Sequence, residues 1–187
     1  MKQKIYLSNF EDKNYQKCVE IRKRVFVEGQ NVPLDLELDG DEQAFHFLIE
    51  LDQIPVATSR YRPYKGTFKI ERVATLENYR CRGLAQGLML SMLEDIKDRY
   101  HSEFINKTAA PFPILHAQES VISFYQKRGW IPYSAPFLEA DIRHQKMYFN
   151  LMNSLSLADQ KDFGPTDYLD ALELQDLSEV LKSSYLN

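Results

Sequence analysis

The sequence predicts a mixed α/β (α+β) fold in which helices flank one central sheet. The chain has 187 residues, 44% of them hydrophobic, which is enough for one domain with a sizeable core and argues against disorder. Strand-like and helix-like segments follow in the order β-α-β-β-β-α-β-α-β-β, so strands dominate the centre. The order therefore favours an α/β or α+β mixed sheet, and no internal repeat is visible.

The N-terminal elements are predicted to be a strand, a helix and a polar loop. Residues Lys4–Leu7 suit a short first strand. Tyr15–Val27 carries apolar residues close to helical spacing, and Gly29 and Pro33 break that helix. Residues Asn31–Gln43 are polar and acidic, so they are predicted to form a loop.

The central elements are three strands and a long helix. Ala44–Leu51 and Ile54–Tyr61 are predicted strands, and Asp52-Gln53 between them suits a two-residue hairpin turn. Phe68–Leu76 is the next predicted strand. The helix that follows has an apolar stripe at i, i+4 spacing, which predicts one face packed on a core. Its members are Leu84, Leu88, Met92, Ile96 and Tyr100.

The remaining elements of the predicted domain are a strand, a helix and two final strands. Pro113–Gln118 is a short predicted strand, followed by a helix from Glu119 to Arg128. Gly129 suits the end of that helix, because glycine adopts the left-handed conformation common there. Trp130–Tyr133 and Lys146–Leu151 are the last predicted strands.

The C-terminal part of the chain differs in character from the rest. We predict one domain over residues 1–151 and an acidic C-terminal extension over residues 152–187. The run Tyr168–Leu181 is acidic and amphipathic, which predicts a helix. Its apolar side chains suit packing either on the domain or on a second subunit, so a homodimer stays open.

Composition argues against several classes of function. The net charge of −4 gives no support for a nucleic-acid or anionic-membrane partner. No apolar run approaches about 18 residues, so no membrane span is predicted, and the first residues show no signal peptide. The two cysteines, Cys18 and Cys81, make no disulfide framework, so a reducing, cytoplasmic location is the simplest interpretation. The four histidines lack a Cys or carboxylate at ligand spacing, so no metal is expected.

The most informative segment is residues 79–88, Tyr-Arg-Cys-Arg-Gly-Leu-Ala-Gln-Gly-Leu. It places two arginines and two glycines between a predicted strand and a predicted helix. Such a junction exposes backbone N–H groups at the positive end of a helix dipole, so it suits an anion with several phosphates. A capped surface turn is the plainer alternative. A Walker A loop needs Lys and then Ser or Thr after its second glycine, and a dinucleotide loop needs three glycines, so neither fits.

Two motifs together resemble the GNAT superfamily of N-acetyltransferases. The first is Arg80-x-x-Gly83-x-Ala85, which resembles the acyl-CoA pyrophosphate loop of that family. The second is Gln118-x-x-Val121-x-x-Phe124-Tyr125-x-x-x-Gly129-Trp130, which resembles the family pattern N-x-x-A-x-x-F-Y-x-x-x-G-F. In the second motif Gln, Val and Trp replace Asn, Ala and Phe, which are chemically mild changes.

Further matches are similar to the ElaA-like bacterial branch and extend the resemblance over roughly residues 5–150. These matches are Arg24-x-Phe26-Val27-x-Gly29-Gln30-x-Val32-Pro33, Ala44-x-His46, Arg72-Val73-Ala74 and Glu139-x-x-Ile142-x-His144-x-x-Met147. The chain departs from the branch at Gly29, where Glu is frequent, and at Glu71, where a small residue is frequent. The C-terminal extension has no counterpart in the resemblance.

The resemblance implies a fold and an activity. The fold is a GNAT-like mixed, mostly antiparallel sheet with flanking helices and a splayed pair of strands for acyl-CoA. The activity is transfer of an acetyl group from acetyl-CoA to a primary amine by an N-acyltransferase domain over residues 1–151. The acceptor stays open among a polyamine, an amino sugar, an amino acid and a protein N-terminus. The alternative is a non-catalytic acyl-CoA-binding regulatory module.

The resemblance also implies which residues contact acyl-CoA. The pyrophosphate is expected on the amides of residues 82–87. The expected cofactor-binding residues are Val73, Ala74, Thr75, Arg80, Cys81, Arg82, Gly83, Leu84, Ala85, Gln86, Gly87, Gln118 and Tyr125.

Two residues are the first candidates for acid–base catalysis. Tyr125 is the candidate acid, because a phenol can hydrogen-bond the charge that develops on the departing sulfur. Glu71 is the candidate base, since it lies on the strand beside the expected CoA arm. Strand alternation predicts that Glu71 shares one face with Val73 and Thr75. A core aromatic and a surface carboxylate are the structural alternatives for these two residues.

His46 and His144 are further candidates, because histidine titrates near neutral pH and suits proton relay. A structural or exposed histidine is the alternative for each. The acidic residues of segment 35–42, with Glu139 and Asp141, suit attraction of a cationic amine towards the site, or form a solvated face.

Overall fold

The fold is described from a computed structural model, for residues 2–10, 12–106 and 108–151. Its strands are β1 (Gln3–Ser8), β2 (Phe45–Leu51), β3 (Ile54–Tyr64), β4 (Thr67–Thr75), β5 (Ile114–Gln118), β6 (Ile131–Pro132), β7 (Phe137–Glu139) and β8 (Ile142–Tyr148). Its helices are α1 (Lys13–Arg22), α2 (Leu34–Leu38), α3 (Leu84–Arg99), α4 (His101–Ile105) and α5 (Ile122–Gln126). A π-helical segment, Lys23–Glu28, continues α1, and 3₁₀ turns lie at Asp41–Gln43, Glu77–Tyr79 and Glu119–Val121. The extension predicted over residues 152–187, with its helix, lies outside the described residues.

The strands form one sheet in the order β1-β2-β3-β4-β5-β8-β6, and β7 also pairs with β8. The described pairings are antiparallel except that of β4 with β5. These two parallel strands pair only at Lys69–Ile114 and Ile70–Leu115, although both continue beyond that point. The predicted mixed, mostly antiparallel sheet with a splayed pair of strands is therefore confirmed.

A β-bulge at Arg72 lies where β4 leaves β5. Pairing with β3 passes from Arg60–Glu71 to Thr58–Ala74, so β4 uses one residue more than β3 over this step. Arg72 has φ 55°, in the left-handed region that regular strands do not use. An inserted residue bends the strand and reverses the alternation of the side chains that follow it.

The bulge makes one sequence prediction wrong, because Glu71 and Val73 do not share a face. Val73 packs with Ile70 in the core beneath α3, whereas Glu71 pairs with Arg60 on the face that α1 covers. Ala74 joins the smaller core cluster beneath α1. The prediction assumed an unbroken strand, and nothing in the local sequence marks the inserted residue.

Two core clusters lie on opposite faces of the sheet. Along β2, Phe47 and Ile49 join the larger cluster with α3, and Leu48 joins the smaller cluster with Cys18 and Ile21 of α1. The predicted apolar stripe of α3 is buried at Leu84, Leu88, Met92 and Ile96. Burial of this stripe holds α3 against β2, β3 and β4 and so fixes the position of its N-terminus.

Two hairpin turns differ in how well the sequence signals them. The predicted turn at Asp52–Gln53 is confirmed, with φ values of 48° and 69°. The turn at Ala140–Asp141, with φ values of 49° and 60°, joins β7 to β8 and was not predicted, because alanine is unusual at positive φ. Strand β8 therefore begins at Ile142 rather than at Lys146. Helix α4 was also not predicted.

The segment of residues 31–43 is not the solvated loop that the sequence predicts. It forms α2 and a 3₁₀ turn, and two of its carboxylates are buried, with Glu37 1% and Asp41 2% exposed. Glu37 lies 2.7 Å from Nε of Arg22 and 2.7 Å from Nε of Arg72. The Arg22 contact is misaligned for a hydrogen bond, so it acts as an ion pair. Partners distant in the sequence thus allow these charges to be buried.

Asp41 lies at the centre of a buried cluster of charges. Arg22 binds it with both terminal nitrogens, at 2.9 Å and 2.5 Å, and Arg60 donates to the same carboxylate. The hydroxyl of Tyr15 donates to it at 2.8 Å. Burial raises the pKa of Asp41, but the hydrogen bonds and charges of Arg22 and Arg60 outweigh burial and leave the pKa below its ordinary value. The carboxylate is therefore ionised at neutral pH.

Replacing Asp41 by Asn should destabilise the protein by about 3–5 kcal/mol, because two buried arginines lose their counter-charge. The difference in stability between wild type and Asp41→Asn should become smaller in acid. A carboxylate with a lowered folded-state pKa contributes stability that is lost as pH falls through that pKa. Urea denaturation at several pH values measures both effects. Glu42→Gln, at the exposed neighbouring carboxylate, is the control and should change stability by less than about 0.5 kcal/mol. Equal midpoints for wild type and Asp41→Asn would contradict this account.

Candidate active site

A cavity of about 870 Å³ opens where β4 and β5 part. Its walls are the ends of these strands, the segment from Tyr79 into α3, helix α5 and part of the chain between Val25 and Asp39. The volume is typical of cofactor and small-molecule sites. Beyond Ile70 and Leu115 the facing edges of the two strands do not pair with each other, so their backbone groups are available to an extended ligand.

The cavity contains most of the residues predicted to bind acyl-CoA. On β4 and β5 these are Val73, Ala74, Thr75 and Gln118. Gln118 also donates from Nε2 to Oε1 of Gln30 at 2.9 Å, which ties β5 to the chain that follows the π-helical segment. From the loop before α3 and the start of that helix, the lining residues are Arg80, Cys81, Gly83, Leu84, Ala85 and Gln86.

The start of α3 has the geometry of an anion site. Gly83 is the N-cap residue, with φ 79°, and a Cβ built on it would meet no atom within 4 Å. The first N–H groups of a helix have no partner inside it. The N–H of Gly87 already donates to the Gly83 carbonyl at 3.0 Å, and Gly87 faces β1 and β2. The amides free to bind an anion therefore end at Gln86, and Gly87 lies outside the cavity.

Two cations line the cavity beside this helix start. Arg80 was predicted, whereas Arg82 donates to a backbone carbonyl within the loop and does not line the cavity. Arg128 was not predicted. Its guanidinium lies 3.8 Å from the centroid of the Phe124 ring, and Nη2 donates to Oε1 of Gln86 at 3.1 Å. Its Nε is buried without a hydrogen-bond partner among the described residues. Arg128 follows α5 in the chain, and the fold brings it to Gln86 at the start of α3.

Tyr125 of α5 lines the cavity as a buried phenol. Its ring packs edge-on against Phe124 and Trp130, with centroids 5.1 Å and 6.2 Å away. Burial raises the pKa of Tyr125 to about 12, so the hydroxyl keeps its proton at neutral pH. Within residues 2–10, 12–106 and 108–151 that hydroxyl has no hydrogen-bond partner. The phenol of Tyr125 therefore keeps a hydroxyl proton that no described protein group accepts.

Glu71 lines the cavity but is surrounded by cations. Its carboxylate lies 2.8 Å from Nη2 of Arg60, 3.1 Å from Nε of Arg62 and 3.2 Å from Nζ of Lys69. Burial raises the pKa of Glu71, but Lys69, Arg60 and Arg62 outweigh burial and hold the pKa far below its ordinary value. A carboxylate with so low a pKa is a weak base at neutral pH. This geometry does not favour the predicted role of Glu71 as proton acceptor.

His46 does not reach the cavity. It is 0% exposed and lies beneath α1, within the buried charge cluster. Its Nε2 lies 3.1 Å from the carbonyl oxygen of Asp41, and its Nδ1 lies 3.4 Å from Nη1 of Arg22. Burial lowers the pKa of His46 to about 4, so the ring is neutral at pH 7. These contacts give His46 a structural place rather than the predicted place in a proton relay.

His144 of β8 does line the cavity, as predicted. Its Nδ1 lies 2.8 Å from the carbonyl oxygen of Ile142, so Nδ1 carries a proton in the neutral ring. His144 stands opposite Gln118 in the β5–β8 pairing, on the same face as Glu71. The ring of Phe137 lies 6.0 Å away, centroid to centroid.

Comparison with known proteins identifies the family. The model of the acetyltransferase (GNAT) family matches residues 15–130, which is more than half of the chain. The chain belongs to the GNAT family of acetyltransferases. It is 32% identical over 129 residues to the uncharacterized N-acetyltransferase YjcF of Bacillus subtilis (strain 168), covering 68% of this chain and 86% of that protein. The predicted family is confirmed, and the protein is an N-acetyltransferase of the GNAT type.

Solved structures agree with this GNAT assignment. Escherichia coli ElaA is 26% identical, with a TM-score of 0.66 over 80% of this chain and 99% of ElaA. The similarity to ElaA agrees with the resemblance seen in the sequence. The PaiA N-acetyltransferase of Thermoplasma acidophilum, solved in complex with coenzyme A, is 10% identical, with a TM-score of 0.57 over 78% of this chain and 98% of PaiA. At that identity the likeness shows the fold alone.

The cavity of this GNAT protein is also lined by residues that were not predicted to be catalytic. His116 of β5 lines it, with Nδ1 2.9 Å from Oε2 of Glu139. Lys69 lies between Glu71 and Glu139, with Nζ 3.8 Å from Oε1 of Glu139. Glu139 was expected only to attract an amine. The expected attraction by segment 35–42 is weakened, because Glu37 and Asp41 are neutralised by buried arginines.

The described part of this GNAT chain contains neither a membrane-spanning helix nor a cluster of metal ligands. There, every helix is too short or too polar to span a bilayer. In the same stretches no three His, Cys, Asp or Glu side chains are grouped so that they could hold a metal ion. That the protein uses no metal stays a prediction.

Proposed function

We propose that this protein transfers an acetyl group from acetyl-CoA to a primary amine. The observation that carries the proposal is the cavity between the parted strands β4 and β5. One wall is a helix start with free amides and two arginines, another carries the phenol of Tyr125, and a third carries the charged face around Glu71. Such a cavity suits a long ligand with phosphates at one end and a reactive group at the other.

The helix start and its arginines support coenzyme A as the donor. In this proposal the pyrophosphate binds the amides of residues 83–86, between Arg80 and Arg128. The unpaired backbone edge at residues 73–75 then meets the amide groups of the pantetheine arm. The solved complex of the Thermoplasma acetyltransferase with coenzyme A supports the same class of ligand.

The reaction joins the amine nitrogen to the acetyl carbonyl carbon and breaks the carbon–sulfur bond. Holding both partners in attack geometry lowers the barrier by an amount on the order of several kcal/mol. The departing thiolate needs a hydrogen-bond donor, and Tyr125 supplies one. A phenol with a pKa near 12 is a weaker acid than a thiol with a pKa of about 8.5. Tyr125 therefore stabilises the thiolate by a hydrogen bond rather than by complete proton transfer.

The walls on the α1 face suggest what kind of acceptor fits. Four apolar side chains line this part of the cavity: Val25, Phe26, Val32 and Leu36. They suit an acceptor with an apolar portion next to its amine. Asp39 also lines the cavity and suits attraction of a cationic amine, a role that buried Glu37 and Asp41 do not fill.

A substrate panel tests the proposed function. Purified protein is given acetyl-CoA with polyamines, amino sugars, amino acids and peptides with free N-termini, and released thiol and acetylated product are measured. Turnover with at least one amine is expected. Binding of CoA by calorimetry without any turnover would favour the alternative, a regulatory acyl-CoA-binding module.

Replacing Gly83 by Val should weaken CoA binding at least about tenfold, or about 1.4 kcal/mol. A β-branched residue is strained at φ 79°, and its side chain would fill the open space beside the free amides. Calorimetry with CoA measures the change. Gly66→Val, with similar strain at φ 75° in the β3–β4 turn and outside the cavity, is the control and should retain affinity. Unchanged affinity in Gly83→Val would mean that the phosphates bind elsewhere.

Replacing Tyr125 by Phe should lower turnover by about 10–1000 times, the range for losing one acid or charge-stabilising donor. CoA should still bind, because the ring and its packing are kept. Steady-state kinetics with the best amine of the panel measure the effect. Tyr100→Phe removes a phenol outside the cavity and should leave turnover unchanged. Native turnover in Tyr125→Phe would exclude the role.

A further inference from the structure

His116 is the first residue of β5 beyond the point where β5 leaves β4. The last pairing between these strands is Ile70–Leu115, so His116 stands at the mouth of the splay. Leu115 and Ala117 face the core beneath α3, so alternation turns His116 to the opposite face, which also carries Glu71. The side chain of His116 is 13% exposed and lines the cavity.

The proton on the His116 ring can be assigned from its neighbour. Burial raises the pKa of the Glu139 carboxyl, but its neighbours His116 and Lys69 outweigh burial and lower that pKa to about 2, so the carboxyl is ionised at neutral pH. An ionised carboxylate only accepts hydrogen bonds, so Nδ1 of His116 must donate to it. In the neutral ring Nε2 then carries a lone pair. This Nε2 is buried and has no hydrogen-bond partner within the described residues.

Burial favours a neutral His116 ring, and the charges around the ring are of both signs. Glu139 of β7, Lys69 of β4 and Lys146 of β8 face it, and His144 of β8 lies near Glu139. Burial lowers the pKa of His116, the hydrogen bond with Glu139 opposes this, and the two lysines add to the lowering. A ring that is neutral at pH 7 but has a carboxylate partner can become an imidazolium without losing its hydrogen bond.

The other candidate bases are less suited to this task. Glu71 is held by three cations, and His46 lies outside the cavity. His144 lines the cavity, but its Nδ1 bonds a neutral backbone carbonyl, which stabilises an imidazolium less than a carboxylate does. His116 alone among these four combines a place in the cavity, a free ring nitrogen and an anionic partner.

We propose that Nε2 of His116 takes the proton of the attacking amine, directly or through one water, while Glu139 holds the ring. This inference rests on the proposed function. The bond between the amine nitrogen and the acetyl carbon forms, and an N–H bond of the amine breaks towards Nε2. The carbon–sulfur bond breaks, and its electron pair leaves on the CoA thiolate beside Tyr125. The imidazolium later returns its proton to solvent. His116 is thus a catalytic residue, and Glu139 is a positioning residue.

The test is a pH profile of kcat/KM with the best amine of the panel. Wild type should lose activity in acid as His116 becomes protonated. His116→Gln should lower kcat/KM by about 10²–10⁴ times at neutral pH and remove this acidic limb. Added imidazole should partly restore His116→Ala. In Glu139→Gln the limb should move to lower pH, because the anion that raises the pKa of His116 is gone. His101→Gln, at an exposed histidine of α4 outside the cavity, should match wild type.

Calorimetry with CoA on each variant separates a lost base from a lost fold. If His116→Gln does not bind CoA, the pH profile of Glu139→Gln becomes the deciding test. An acidic limb at the same pH in Glu139→Gln and in wild type would then overturn the proposal. The proposal also falls if His116→Gln keeps the limb and the rate, or if the limb instead disappears in Glu71→Gln or His144→Gln. Absence of wild-type turnover with every amine would overturn the proposed function itself, and the role of His116 with it.

Discussion

The buried carboxylate of Asp41, held between Arg22 and Arg60, is the interaction on which the site depends. Each of these three charges would be costly to bury alone, and together they join α1, the segment after α2 and β3. The contacts continue from Arg60 to Glu71 on β4, and from there through Lys69 to Glu139. The chain of alternating charges thus runs from α1 to β7 and sets the positions of the side chains on one wall of the cavity.

The second constraint is the parting of β4 and β5. These parallel strands pair at only two positions, so beyond them the facing backbone edges of β4 and β5 do not bond to each other. The bulge at Arg72 lies where β4 turns away from β5. The opening connects the two faces of the sheet. One face carries the core beneath α3 with Tyr125, and the other carries Glu71 and His116. A donor that lies in the opening can therefore present its reactive end to side chains from both faces.

The two ends of the cavity are built from different kinds of groups, which explains how far each end could be predicted from the sequence. At the start of α3 the recognition groups are backbone amides, and their exposure follows from a glycine at positive φ before a long apolar stripe. Those features are local, so the sequence alone was enough to propose an anion site at residues 82–87. Around Glu71 the recognition groups are side chains from β3, β4, β5, β7 and β8. Their roles depend on neighbours that are far away in the sequence, as with His116 and Glu139.

The sequence by itself determined most of the strands and helices, the amphipathic face of α3, the turn at Asp52–Gln53 and the glycine before α3, because these depend on local periodicity and turn chemistry. Tertiary structure alone decided which charged side chains are buried and which line the cavity. Asp41 and Glu42 are neighbours in the sequence and both carry a carboxyl group, yet only Asp41 has two arginines facing it. The inserted residue at Arg72 reversed the faces of β4, and the tertiary fold placed Arg128 beside Gln86 at the start of α3. The burial and the pKa of a charged side chain depend on partners that are distant in the sequence, so a local sequence pattern cannot reveal them.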